Sequence, residues 1–337
     1  MGKERFIRSP FDELQLSDAD KISLKDFACN FFETQLTKYE EFIADGGSKV
    51  NEREWKRLKS TEGTHVYVER KPSTEYPALL MTGTTWGTVD DCMFGAMAPT
   101  TESMRIKAAY VNDVSVKNRD YIFVEYMNTA HLSNGERIGC QIYHSVSFPQ
   151  TNELPGRTRA NMAVGGIFRQ IGPDLVEAYG SGVMDPSGSL AKTFVVPGVA
   201  AGYLTTLKYA HCSKMKKITW LLRKRHAELK ELDDPNRPPI CVTCTASVKN
   251  DVRKTKEKAC KLCGGYVCSS CRIYRKLAVI GVGGFLEKHK VRFCGGCLQQ
   301  VRMASPLEIA KEYASGSVNQ TISYANADSS LSSSMSD

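Results

Sequence analysis

The chain has 337 residues, enough for a sizeable core plus a small module, so two domains are expected. Its hydrophobic fraction of 42 % is ordinary for a globular protein, and no apolar run approaches the roughly 18 to 20 residues that span a bilayer. The net charge of +8 is uneven: residues 208–302 hold 22 Lys and Arg against 7 Asp and Glu, a net +15, and the rest of the chain is −7. Such a basic segment is expected to meet an anionic partner. Anionic membrane, nucleic acid and a merely solvated surface all fit on charge alone.

No apolar stretch follows Met1–Arg5, so no secretory signal is expected. Phe6 stands where a myristoylation pattern needs Ser or Thr. Cys29, Cys92, Cys140 and Cys212 are scattered singly, as thiols of a reducing compartment are, which points to the cytoplasmic side of the cell.

In chain order, 17–45 reads as an amphipathic helix. Ser17 and Asp20 form a capping box, apolar residues from Leu24 to Ile43 recur at three- and four-residue steps, and Asp45-Gly46-Gly47 stops it. Thr64–Arg70 and Ala78–Gly83 are strands. Thr88 and Asp91 open a helix that Pro99 helps close. Met104–Val111, Tyr121–Asn128, Ile138–Phe148, Ala163–Gln170 and Leu175–Met184 are further strand candidates. Asn112-Asp113, Asn134-Gly135, Pro155-Gly156, Gly172-Pro173 and Pro186-Ser187-Gly188 supply the turns. Short returns indicate an antiparallel sheet.

From about Gly198 to Leu232 the period becomes helical. Leu204, Leu207, Met215, Ile218 and Leu222 mark one face, and Lys208, Lys214, Lys216, Lys217, Arg223, Lys224 and Arg225 an exposed basic one. Pro238-Pro239 is a stiff linker. Near the end, Ser305, Pro306 and Glu308 start a helix that runs to about Ala314. Residues 315–337, with nine Ser, are expected to be a disordered, solvated tail, with phosphorylation the alternative.

Between these helices lie Cys241-x-x-Cys244, Cys260-x-x-Cys263, Cys268-x-x-Cys271 and Cys294-x-x-Cys297, which hold eight of the twelve cysteines. Two thiolates two residues apart grip one ion from a tight turn, and two such pairs complete a tetrahedral site. Four pairs therefore imply two structural zinc ions; redox dithiols or disulfides are the alternatives. Only four residues separate Cys263 from Cys268, which suits interleaving: pairs one and three on one ion, pairs two and four on the other. A small domain with little apolar core needs such a staple.

The element order over 17–232 resembles the helix-grip fold of the START lipid-transfer domains (the steroidogenic-acute-regulatory-related family). It rests on the N-terminal helix, the early Trp86–Met97 segment, the long antiparallel sheet and the Leu204–Leu229 helix. The resemblance implies an α+β fold, a curved antiparallel sheet gripping a long C-terminal helix, with a cavity for a lipid or another apolar ligand.

The stretch 235–304 is similar to the FYVE zinc finger, a small cross-brace two-zinc domain that reads a phosphoinositide on endosomes. The ladder spacing, Gly264 after the fourth cysteine and the strand Val291-Arg292-Phe293 before Cys294 carry the likeness. The family's Trp before the first cysteine is missing. Its Arg-Arg-His-His-Cys-Arg motif is here Lys256-Glu257-Lys258-Ala259-Cys260-Lys261. The resemblance implies headgroup contacts from Lys256, Lys258, Lys261 and Arg292, with altered choice because ammonium groups lack the two-pronged fit of Arg. The loop Ala246–Arg253, with only Val248 and Val252 sizeable and apolar, implies surface attraction rather than deep insertion. A RING finger shares the interleaving. It normally has His in the second ligand pair and Pro after the first cysteine of the last pair; Cys263 and Gly295 stand there.

Four-cysteine zinc has no open position, so catalysis is not expected there. His144 and Ser145 are strand neighbours that point to opposite faces, a poor hydrolase pair. Gly281-Val282-Gly283-Gly284 lacks the Lys-Ser/Thr of a phosphate loop and is expected to be a tight turn. The expected function is a non-enzymatic peripheral membrane adaptor on endosomal or other internal membranes. It would bind an anionic lipid through the finger and an apolar ligand through the first domain. A zinc-dependent protein-interaction scaffold is the alternative. Nucleic acid is disfavoured because few aromatics interleave the basic stretches.

Overall fold

The computed structural model describes residues 9–45, 49–72, 74–111, 119–188, 192–225, 238–248 and 259–315. The proposed tail, Asn112-Asp113 and the C-terminal part of the basic helix lie outside them. Two compact units are present. A sheet unit comprises Arg8–Met97 and Val111–Ser213. A cysteine unit takes Ala98–Tyr110 and the chain from Lys214 onward. The boundary thus falls inside a helix instead of at the Pro238-Pro239 linker.

In the sheet unit, strands β1 (Trp55–Thr61), β2 (Thr64–Glu69), β3 (Leu79–Trp86), β5 (Phe123–His131), β6 (Arg137–Ser145), β8 (Asn161–Gly172) and β9 (Leu175–Asp185) form one sheet in the order β1-β2-β3-β9-β8-β6-β5. Every neighbouring pair in it is antiparallel, giving the α+β class expected from the turns. β4 (Arg119–Asp120) and β7 (Thr158–Arg159) make a separate short parallel pair. The β1–β2 turn is Glu62-Gly63, both with positive φ, the geometry that matches strand twist in a two-residue hairpin. Sequence reading missed β1 because its residues are almost all exposed and polar, as befits an edge strand.

Helix α1 (Asp18–Ala44) starts with the expected capping box, Ser17 Oγ accepting from Asp20 N. Its buried stripe Ala28, Phe32, Gln35 and Tyr39 packs on one face of the sheet, against Tyr67, Leu80, Ile138, Ile142 and Tyr179. Tyr39 donates to Glu177 Oε2 at 2.6 Å, and burial, reinforced by that carboxylate, raises its pKa. Helix α2 (Val89–Ala96), capped by Thr88 as expected, lies on the opposite face: a Cβ on Gly139 would strike Met93 and Val89.

Helix α4 (Lys192–Leu204), a 3₁₀ turn at Thr205–Lys208 and α5 (Tyr209–Lys224) follow. The single helix expected from Gly198 is therefore broken. Thr205 and Thr206 turn their hydroxyls back onto Gly202 O and Tyr203 O, which tightens the chain there.

Three further expectations are corrected. Met104–Val111 is not a strand but belongs to helix α3 (Thr101–Val111). Thr100 and Ser103 exchange hydrogen bonds across its first turn, and its buried residues Ser103 and Ile106 fall three apart. The expected basic face of α5 is exposed only in part: Lys224 is exposed, but Lys216 and Lys217 are only 5 % and 3 % accessible. Lys217 Nζ donates to Arg302 O and Ala304 O at the end of helix α6 (Gly295–Met303), where an ammonium complements the terminal carbonyls. The strand expected at Tyr121–Asn128 is shifted to Phe123–His131.

Gly95 permits the tightest helix contact of the sheet unit, since a Cβ there would collide with the backbone of Tyr209. Gly95→Ala is expected to lower unfolding free energy by about 1–3 kcal/mol in a urea melt; an unchanged midpoint would contradict this packing.

Candidate metal centres and a cationic hairpin

The cysteine unit is built around two sulfur quartets. Cys241, Cys244, Cys268 and Cys271 form one, and Cys260, Cys263, Cys294 and Cys297 the other; within each, all sulfurs lie within 4.8 Å of one another. Pair one joins pair three and pair two joins pair four, so the interleaving inferred from the short gap is present. Cys244 and Cys268 sulfurs are 3.7 Å apart and Cys263 and Cys294 sulfurs 4.0 Å. Four thiolates bound at 2.3 Å around one ion stand about 3.8 Å apart. The donor set therefore fits a tetrahedral, sulfur-only site.

Local backbone explains how each pair converges. Cys241–Cys244 and Cys260–Cys263 sit on matching knuckles. An antiparallel bridge closes each base, Ile240 to Ser247 and Ala259 to Tyr266. The residue after each second cysteine is left-handed, Thr245 at φ 60° and Gly264 at φ 67°. Its N–H returns to the first cysteine's carbonyl, at 2.9 and 2.8 Å respectively. Glycine adopts this conformation freely, and threonine only under constraint. Cys294 caps α6, its sulfur accepting from Cys297 N at 3.4 Å.

The thiols act as groups rather than singly. Burial opposes ionisation of Cys241, but N–H groups of Cys268, Cys244 and Thr243 draw it down to about 6. Hydrogen bonds from Cys263 and Cys297 pull Cys260 down to about 2, while bonding to Cys244 and Cys268 pushes Cys271 up to about 12. Some sulfurs in each set are already favoured as thiolates, and a divalent cation would favour the rest.

The quartets share one core with α5. Met215 and Ile218 are buried with Cys241, Cys260, Cys294, Cys297, Leu277 and Phe293. Just after α5, Arg225 bonds Leu262 O and Gln300 Oε1. Glu312 of helix α7 (Pro306–Ala314), whose Ser305 cap is as expected, accepts from both Trp220 and Lys224 at 2.7 Å. From α3, Arg105 reaches Gly284 O and Tyr110 the N–H of Ala278.

Between the third and fourth pairs run β10 (Ile273–Ile280) and β11 (Leu286–Phe293), joined by the expected tight turn, with Gly283 and Gly284 both at positive φ. The register pairs Tyr274 with Arg292, Lys276 with Lys290 and Ala278 with Lys288. One face of the hairpin is therefore cationic, with Lys276, Lys288 and Lys290 exposed. Arg292 donates to Tyr274 Oη at 2.7 Å, and Lys290 Nζ lies 4.6 Å from that ring's centre. The bond from Arg292, with the charges of Arg292, Arg272 and Lys290, lowers the Tyr274 pKa. Phe285 projects at the tip, 59 % exposed.

Of the four residues implied as headgroup contacts, Lys256 and Lys258 lie outside the described residues. Lys261 is exposed, and its N–H donates to Arg292 O at 3.1 Å, so these two adjoin. Val248, expected at a membrane-facing loop, is instead buried in the metal-centre core, its N–H bonded to Pro239 O. Tyr274, Lys276, Lys288, Lys290 and Phe285 were not singled out from sequence. The alternation Tyr274-x-Lys276 opposite Lys288-x-Lys290-x-Arg292 carried the signal, once the intervening glycines are read as a hairpin turn.

In the sheet unit, His144 lies between the edges of Phe27 and Phe31, at 4.6 and 5.0 Å. Ser145 Oγ accepts from Met162 N, so the two side chains do not pair with each other.

No family model matches the sequence, and no curated protein matches it. Solved structures with a similar fold include human StAR-related lipid transfer protein 5, 12% identical, covering 57% of this chain and 98% of that one, with a TM-score of 0.41. Human STARD10 is 12% identical over 69% of this chain and 89% of its own, TM-score 0.35. A STAR-related lipid transfer protein fragment from Xanthomonas axonopodis is 16% identical over 47% and 98%, TM-score 0.37. Similarity at this level decides neither ligand nor descent, and the α+β class rests on the strand order itself.

Proposed function

We propose that this protein is a non-enzymatic, zinc-stapled peripheral membrane protein whose cysteine unit docks on anionic lipid and whose sheet unit takes an apolar ligand. The observation that carries the membrane reading is the hairpin face. Lys276 stands directly opposite Lys290, a pairing that is unfavourable unless an external anion offsets it. Arg292 Nη1 is buried without a partner among the described residues. Exposed Lys261 adjoins Arg292 and would meet an anionic headgroup there; Lys256 and Lys258, outside the described residues, are expected to join it.

A FYVE-like identity for the module is supported by the interleaved ladder and by the strand entering the last pair. The membrane contact differs from the one read off the sequence. With Val248 inside, the apolar contact falls to Phe285 at the hairpin tip, flanked by lysines that add about 1 kcal/mol each near an anionic surface. Zinc is the metal that suits eight cysteine sulfurs in two closed tetrahedral sets, and its part is to hold the unit together. Endosomal or other internal membranes on the cytoplasmic side are the expected place.

Native mass spectrometry is expected to find two zinc ions per chain, falling to one in Cys241→Ser and to one in Cys260→Ser. A single ion in the unaltered protein would refute the paired centres. In flotation assays, binding to vesicles containing anionic lipid should exceed binding to neutral ones and weaken with salt. Lys276→Glu with Lys290→Glu should reduce it about tenfold or more, and Phe285→Ala should reduce it without altering the salt dependence. Equal binding to neutral vesicles, or a double variant that floats normally, would contradict the hairpin as the docking face.

A further inference from the structure

The sheet unit has a groove on the face that α1 covers. Strand alternation separates the sheet's two faces. A Cβ on Gly180 would meet the Tyr203 ring, and Phe168 packs against Tyr209, its ring centre 6.1 Å away, on the other face. Tyr179, Ser181, Val183 and Ala163 alternate with them and line the groove on the opposite side. Its volume of about 630 Å³ falls in the range of small-molecule sites. Phe31, Phe42, Val50, Trp55 and Leu80 give it apolar walls.

Two features define the chemistry of an occupant. First, Gln35 lines this groove yet is only 3 % exposed. Its Oε1 accepts from Ser181 Oγ at 2.8 Å, and its Nε2 donates to no described residue. Gly165 makes room for it, since a Cβ there would strike the amide. The Nε2 nitrogen is not sealed from solvent, so water or an occupant of the groove can accept from it. Second, Glu41, Asp45, Glu54 and Glu69 line the groove against Lys38 and Lys49. The excess of carboxylates repels an anionic head.

We propose that this groove holds an uncharged, mainly apolar molecule bearing a hydroxyl, with the hydroxyl on Gln35. A hydroxyl accepts from the amide nitrogen, and would equally donate if the amide were turned over. The proposal rests on the reading that the sheet unit takes an apolar ligand and adds which face holds it and what head it carries.

The test is a fluorescence titration of the full chain with a pyrene-labelled long-chain alcohol and with the matching carboxylate. The alcohol is expected to bind, and the carboxylate to bind more weakly, by a margin that narrows with salt. Gln35→Leu should weaken alcohol binding about fivefold. Ala163→Phe, which fills the groove from β8, should abolish it while leaving the melting curve cooperative. Tighter binding of the carboxylate overturns the assignment. Alcohol binding that survives Ala163→Phe also overturns it and leaves the broader reading standing, with the ligand elsewhere in the sheet unit. Binding of neither probe overturns both.

Discussion

Everything in the cysteine unit depends on bringing four sulfurs together twice. The quartets interleave, so neither can form alone without bringing the other's ligands close. Pair three follows pair two by four residues and pair four follows β11, which ties the knuckles to the hairpin. Without an ion, each convergence would hold several polarisable, partly ionised groups at about 4 Å, an arrangement that favours a divalent cation. The quartets therefore set the hairpin's position, and the hairpin in turn presents the cationic face and Phe285.

That unit does not end at its cysteines. A module of this size buries little apolar surface, and here it completes its core with helices that sequence reading assigned to the first domain. Met215 and Ile218 of α5 pack among the quartet cysteines. Lys217 and Arg225 bond carbonyls of the module, and α3 sends Arg105 and Tyr110 to the hairpin. A helix buried on several sides carries its lysines inward only where carbonyls or carboxylates receive them, as Lys217 is received at the end of α6.

Much of this was legible in the sequence where the chemistry is local. The capping residues Ser17, Thr88 and Ser305 marked three helix starts, and the Asn134-Gly135 and Gly172-Pro173 turns marked hairpins. The four-residue gap revealed the quartet pairing. What stayed hidden was tertiary. Met104–Val111 alternates enough to pass for a strand, and only Thr100 with Ser103 betrays the helix. Lys216 and Lys217 look like a solvated face until a neighbouring helix end is placed over one of them. Val248 looks like a loop tip until the metal-centre core closes over it. The groove was illegible for the same reason: Gln35, Ser181 and Gly165 are distant in sequence and meet only across the sheet face.

The central claim is that metal binding holds α5 from Lys214 onward, and α3 with it, in one cooperative unit with the cysteines. Hydrogen exchange measured before and after chelation tests it most directly. Stripping the metal is expected to remove protection from α3 and from 214–224 together with β10 and β11, while β3, β8 and β9 keep theirs. Protection of 214–224 that persists when the hairpin has lost its own would contradict it.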